Sequence, residues 1–476
     1  MTLTYILIFA AVALLLGLVM RNSWRVYLLM GVSVLAVYIL QPILPIRGLD
    51  FWLATATLAL TILSWMITAP PGVQRERNNL IAFGVLLGIV VFIDLSRYLG
   101  IEKIITATLP PRIGTLLVFL AALVVVLLGV ILVKCISPAF LLILCAGLLI
   151  GIFIVLKVPA LAMVVSGAIR SMLGRPVGRD YAADFRWIGF SYIAFRLLHT
   201  IRDRQTGHLP AVSLAEYVTY VIFFPSLTAG PIDRVERFIQ DLRRPFALGA
   251  EELMVAGQRL VVGLFKKFVL ADSLALIALN GVNALQVRSA GWMWVILYAY
   301  AFQIYFDFSG YTDIAIGMGR LMGVKLPENF ITPYLKPNLT QFWNNWHITL
   351  TQWFRAYFFN PVTRSLRSRK HRLPIPVIIF ITQLGTMLLI GLWHGVTWSF
   401  ILWGLWHGVG LFLQNRWSEF FRPRLVGLEN RKWLNSSLTV LSTILTFQYV
   451  TLGWVWFALP NLTSSVHVFL KLFGFA

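Results

Sequence analysis

A chain of 476 residues that is 59% hydrophobic and only 12% charged, with a mean hydropathy of +0.80, is not a water-soluble domain, because such domains carry about 25% charge. A net charge of +21 would suggest nucleic acid in a soluble protein. Here it fits the positive-inside rule and contact with anionic headgroups, so membrane lipids are expected partners and nucleic acid is not.

Apolar runs able to cross a hydrocarbon core of about 30 Å occur at 3–20, 26–41, 51–69, 80–95, 113–133 and 136–156. The first lacks a basic leader and reads as a span, not a cleavable signal peptide. Less clean runs follow at 187–199, 214–229, 253–271, 291–308, 374–392, 396–413 and 436–459. Lipid offers no partner to open backbone groups, so helices are expected, and the alternation of a membrane barrel is absent. The expected fold is all-α and polytopic, with roughly 11–13 transmembrane or re-entrant helices. Residues 1–180 would form the N-terminal helices and 181–476 the core, in one continuous membrane domain. Cys135 and Cys145 lie in apolar helices and make no disulfide or metal motif.

Basic clusters orient the chain. Arg21 and Arg25, Arg75 and Arg77, and Arg234 to Arg244 are expected in the cytoplasm, with the N-terminus outside. The densest cluster is Arg364, Arg367, Arg369, Lys370 and Arg372, and it is expected near a cytoplasmic donor entrance. Arg416, Arg422, Arg424, Arg431 and Lys432 follow. The apolar stretch between these last two clusters predicts a helical hairpin with Gly391 to Gly395 near its middle.

Three segments are not ordinary spans. Residues 187–230 mix apolar residues with Arg196, His199, Arg202, Asp203 and Arg204, and end in a Pro- and Gly-rich run around Pro225 and Pro231. That predicts a broken or re-entrant element. Residues 306–340 read as the end of a span, a turn and a loop. Residues 341–359 alternate Trp and Phe with polar groups and predict an interfacial helix; 463–475 is too short to span.

The candidate chemistry lies in two histidines. His394 sits in Gly391-Leu392-Trp393-His394-Gly395, and His347 in Phe342-Trp343-Asn344-Asn345-Trp346-His347. An ionisable group in an apolar stretch is by default a functional-site hypothesis, and imidazole suits proton transfer near neutral pH. The competing reading of each is a core or interfacial histidine bonded locally. His394 is the candidate general base, with Trp393 and Trp398 as channel walls. His347 is a candidate supporting residue, with Asn344 and Asn345 one turn before it to bond it or the substrate. His407, in a second Trp-His-Gly, falls off the face of His394 on a continuous helix and reads as structural. Asp307 and Asp313 need partners, and Arg320 is a candidate for one of them. There is no phosphate-binding loop, zinc helix or Gly-x-Ser-x-Gly elbow, so no metal or bound cofactor is expected.

Phe306-Asp-Phe-Ser-Gly-Tyr-Thr-Asp313, Pro327-Glu-Asn-Phe330, Phe342-Trp-Asn-Asn-Trp-His347, Gly391-Leu-Trp-His-Gly395 and Gly453-Trp-Val-Trp-Phe457 stand in the order found in the membrane-bound O-acyltransferase family, which residues 185–476 resemble. Within it the chain is similar to two bacterial branches, the alginate-type O-acetyltransferases and the proteins of teichoic-acid D-alanylation. The resemblance implies that His394 is catalytic, that His347 is the second site histidine, and that a central tunnel joins a cytoplasmic acyl donor to an extracytoplasmic hydroxyl. Asp307 lies in the first of these motifs and joins the candidate substrate contacts. The polysaccharide branch usually has two arginines where this chain has Asn344 and Asn345, which takes positive charge away from this point. The expected protein is a multi-pass enzyme of the bacterial cytoplasmic membrane that moves an acyl group, acetyl or D-alanyl, to an envelope glycan or polymer. Its donor would be a thioester on a carrier protein or coenzyme A. The rival is a transporter or flippase of an envelope precursor, although no inverted repeat supports it. An inactive scaffold would leave both histidines replaceable.

Overall fold

In the computed structural model, residues 2–20, 22–132, 137–176, 186–368, 373–425 and 432–475 are described; they form helices joined by turns, with no strand and one isolated bridge between Phe330 and Trp346. The all-α expectation holds. Among the described residues five helices are long and apolar enough to cross a membrane: Leu49–Thr68, Arg77–Leu99, Ala139–Lys157, Ile375–His394 and Lys432–Ala458. Others are shorter, such as Leu3–Val19 with 17 residues and Arg25–Ile39 with 15. Cys145 is free and half-buried, whereas Cys135 and the basic residues Arg21, Arg369, Lys370, Arg372 and Arg431 lie outside the described residues.

The chain divides into two compact units, residues 1–258 with 315–326 and residues 259–314 with 327–476. In the first, the 187–230 segment is broken as its composition predicts. Helix Phe190–Gln205 is followed by Leu214–Ile222, which starts at a Ser213–Glu216 capping box. A single 3₁₀ turn, Phe224–Ser226, then carries Pro225. Proline cannot continue the backbone ladder, which leaves carbonyls without partners. Buried Arg196 takes them up: its guanidinium donates to Val221 O at 2.8 Å, Ser226 O at 2.8 Å and Ser226 Oγ at 2.6 Å. Arg25 does the same for a second irregular region, donating to the carbonyls of Arg244, Met322 and Gly323, each at 2.9 Å.

Arg320 does not pair with Asp307 or Asp313. All three lie on the helix Ala290–Leu321. Seven residues from Asp313 to Arg320 amount to about 10 Å of rise, beyond the reach of an ion pair. Arg320 instead meets Glu252 at 3.0 Å, and Lys325 meets the same carboxylate at 3.2 Å.

In the second unit the hairpin forms as expected, from Ile375–His394 and Trp398–Leu425. Glycine sets its closeness. A Cβ on Gly404 would come within 2.8 Å of Met387 O, and one on Gly408 within 2.9 Å of Leu384 Cδ1. Small residues at such a contact let two backbones approach.

The segment 341–359 is not one interfacial helix. Helix Leu339–Asn345 stops, Trp346 is extended, His347 takes the left-handed conformation at φ +44°, and a new helix runs Ile348–Phe354 into a π-helical turn, Arg355–Phe359. The Pro327–Phe330 loop enforces the break. Asn329 Oδ1 accepts from Thr349 N at 3.1 Å and Thr349 Oγ1 at 2.7 Å, while Asn329 O accepts from Ile348 N at 3.0 Å. Thus Asn329 caps the second helix and the first cannot run through it.

Candidate active site

The break delivers His347 to a cavity. Because the left-handed conformation is unfavourable for a residue with a Cβ, a non-glycine held there is a pointer to function. His347 packs edge-on to Phe308, ring centroids 4.6 Å apart, and lies 6.0 Å from Trp393. Trp393 is in turn 4.5 Å from His394, the last residue of its helix, whose ring also meets Phe457 at 4.8 Å and Trp403 at 5.6 Å. The two histidines, 47 positions apart in sequence, line one cavity of about 40 Å³. Its other walls include Trp343, Trp346, Trp403 and Trp454.

His347 is 3% exposed, and among the described residues neither ring nitrogen has a hydrogen-bond partner. The indole N–H groups of Trp343 and Trp403 are likewise unpartnered. A shielded polar group left unsatisfied costs about 1–3 kcal/mol. An apolar cavity with unused donors and acceptors in its wall is suited to a carbonyl or hydroxyl, which would satisfy them. In chemical terms, imidazole can take a proton and the indole N–H groups can donate to a developing oxyanion.

The remaining candidates scatter. Trp393 is buried beside both histidines. Trp398 is 69% exposed at the start of its helix and lines neither this cavity nor the one described below. Asn345 Nδ2 donates to Gln341 O of its own helix at 2.8 Å. Asn344 does not bond His347, since the helix ends between them; its Oδ1 accepts from Arg355 Nη2 at 2.5 Å. Asp307 pairs with Lys267, whereas Asp313 pairs with Arg259 and with Lys266 at 2.7 Å; Arg259 also pairs with Glu328. Asp307 lines neither cavity.

The placing of His407 off the face of His394 supposes one continuous helix. The turn at Gly395 to Thr397 folds its helix back, and the ring lies 5.0 Å from both Trp343 and Trp403, fully buried, with neither nitrogen partnered among the described residues. Arg355, Trp403 and Trp454, not singled out from the sequence, line the cavities; only Trp454 lay within a motif, Gly453 to Phe457.

Comparison with known proteins agrees with these motifs. Residues 139–456 match the model of the membrane-bound O-acyltransferase family. The chain is 34% identical over 289 residues to "Probable alginate O-acetylase AlgI" of Pseudomonas syringae pv. tomato, covering 60% of this chain and 52% of that protein. It is 30% identical over 288 residues to the teichoic acid D-alanyltransferase of Streptococcus thermophilus, covering 57% and 68% respectively. It is 34% identical over 268 residues to the peptidoglycan O-acetyltransferase of Helicobacter pylori, covering 54% and 46%. The chain spans about half the length of the alginate relatives it matches. With a family model matched over most of its length and the family's motifs gathered around one cavity, this chain belongs to the membrane-bound O-acyltransferase family.

Proposed function

We propose that this protein is a multi-pass enzyme of the bacterial cytoplasmic membrane. It transfers an acyl group of the acetyl or D-alanyl class from a cytoplasmic thioester, on a carrier protein or coenzyme A, to a hydroxyl of an extracytoplasmic envelope polymer. One observation carries the reading: His347 and His394 line a single Trp-walled cavity in a member of an acyltransferase family. The relatives' names, which give alginate, teichoic acid and peptidoglycan as acceptors, supply the acceptor class.

In this mechanism His394 takes the proton of the acceptor hydroxyl as its oxygen attacks the thioester carbon. The carbonyl oxygen, now anionic, receives hydrogen bonds from the unpartnered donors of the wall, with His347 and Trp343 the leading candidates. Collapse forms the ester and breaks the carbon–sulfur bond, and the proton on His394 passes to the departing thiolate. The apolar wall keeps water from competing as the acceptor. A base and an apolar carbonyl site suffice for these steps, so the mechanism needs no metal or bound cofactor.

The test uses the full chain in lipid vesicles with thioester donors labelled in the acyl group. Label appearing in an alkali-labile ester on the acceptor supports transfer. Label that crosses the bilayer still on its donor, with no ester formed, supports the transporter instead and overturns the reading.

A further inference from the structure

A second cavity, of about 240 Å³, shares Trp343 and Ile390 with the histidine cavity, so the two meet at these side chains. Its character is different. Its wall is still largely apolar, but Thr340, Asn344, Thr351, Gln383 and Asn415 add polar groups to it, and it holds one charged side chain, Arg355. In the same unit Arg259, Lys266 and Lys267 each have a carboxylate partner. Arg355 has none among the described residues; its guanidinium donates to the amide oxygen of Asn344. Asn344 thereby orients the guanidinium and leaves its remaining donors open. Gln383 Oε1, shielded from solvent in the same lining, also has no partner among the described residues. Arg355 opens the π-helical turn Arg355–Phe359, a form found frequently at functional sites. Eight residues separate it from His347, about 12 Å of helical rise, so a group held at Arg355 is remote from the reacting carbon while still belonging to the same substrate.

We propose that Arg355, held by Asn344, is a binding site for an anionic oxygen group, phosphate or carboxylate, carried by a substrate whose reacting end lies at His347 and His394. The inference rests on the acyltransferase reading above. A planar guanidinium with free donors is the side chain best matched to either anion. The two sources differ: a phosphopantetheine arm brings phosphate on the donor, and an acidic polymer brings carboxylate on the acceptor.

The experiment measures transfer by the full chain in nanodiscs. The donors are acetyl-phosphopantetheine and acetyl-pantetheine, which lacks the phosphate; the acceptors are an oligouronate and its carboxyl-reduced form. Removing the anion that Arg355 reads should raise the wild-type KM for that substrate roughly tenfold to a hundredfold, with kcat little changed. Arg355→Gln should show that raised KM with the intact substrate and no further loss with the stripped one, and Arg355→Lys should recover part of the difference. High salt should narrow the gap, because the site is open to solvent. A phosphate effect assigns the donor, and a carboxylate effect assigns the acceptor. Wild-type KM values in Arg355→Gln for both intact substrates, with His394→Ala inactive, would overturn this inference alone. Normal turnover by His394→Ala would instead overturn the catalytic reading beneath it. Arg355 is exposed, so its variants should keep the wild-type unfolding temperature, and that measurement separates lost recognition from lost folding.

Discussion

His394 and His347 make different demands on a substitution. His394 ends a helix and carries the proposed proton transfer, so His394→Ala should lower transfer by about 10²–10⁴-fold. The protein should still insert and melt normally, as single-turnover assays beside thermal unfolding would check. His347 carries a backbone requirement as well, since it sits at φ +44°. His347→Asn, which tolerates that conformation, should fold and lose activity. His347→Val, β-branched and unsuited to it, should lose activity and also unfold at a lower temperature. Equal unfolding temperatures for the two variants would show that the backbone there is not under strain. Both histidines were legible in the sequence because an ionisable ring in an apolar run has few cheap explanations. The directions of Trp398, Asp307 and Asn345 were not, because composition does not say which way a side chain points. His407 shows the same limit: 13 residues along a straight helix put it off the face of His394, and a turn at Gly395 cancels that arithmetic.

At the scale of elements, the hairpin and the broken segment at 187–230 were legible, the first from its two basic flanks and the second from Pro225 and Pro231. The break at Trp346 was not. It depends on Asn329, 17 positions earlier, and no local pattern of residues 341–359 reveals a cap supplied from a distant loop. Asn329→Ala should therefore reduce activity without touching the cavity, by releasing the end of helix Ile348–Phe354; loss of a helix cap costs about 1 kcal/mol. Unchanged turnover would mean that the loop does not position His347. The hairpin makes a sharper prediction. Gly404→Ala puts a Cβ 2.8 Å from the Met387 carbonyl, where a backbone must move. Overpacking of this kind costs about 1–3 kcal/mol, and denaturant unfolding in detergent should register it. Gly84→Ala, with nothing within 4 Å of the new carbon, is the matched control and should be neutral or slightly stabilising.

For the whole molecule, composition announced a helical membrane protein, and the helices of crossing length agree with it. The division into two units with interleaved residue ranges left no mark on the sequence. The ion pairs of the second unit bear on how such a chain is made. Arg259, Lys266 and Lys267 come first in synthesis; their partners Asp307, Asp313 and Glu328 come 40 or more residues later. An uncompensated charge in a segment entering the bilayer costs about 2.5–3.5 kcal/mol on the insertion scale. The run 253–271 is thus a poor membrane segment until the ribosome has delivered the acidic half, and its entry is tied to that of the helix after it. In nascent chains arrested before residue 307 this run should be open to added protease, and in chains extended past residue 328 it should be protected. Asp313→Asn should delay that change and leave more of the newborn protein to quality-control proteases, the outcome expected if the three carboxylates serve as a checkpoint in biogenesis.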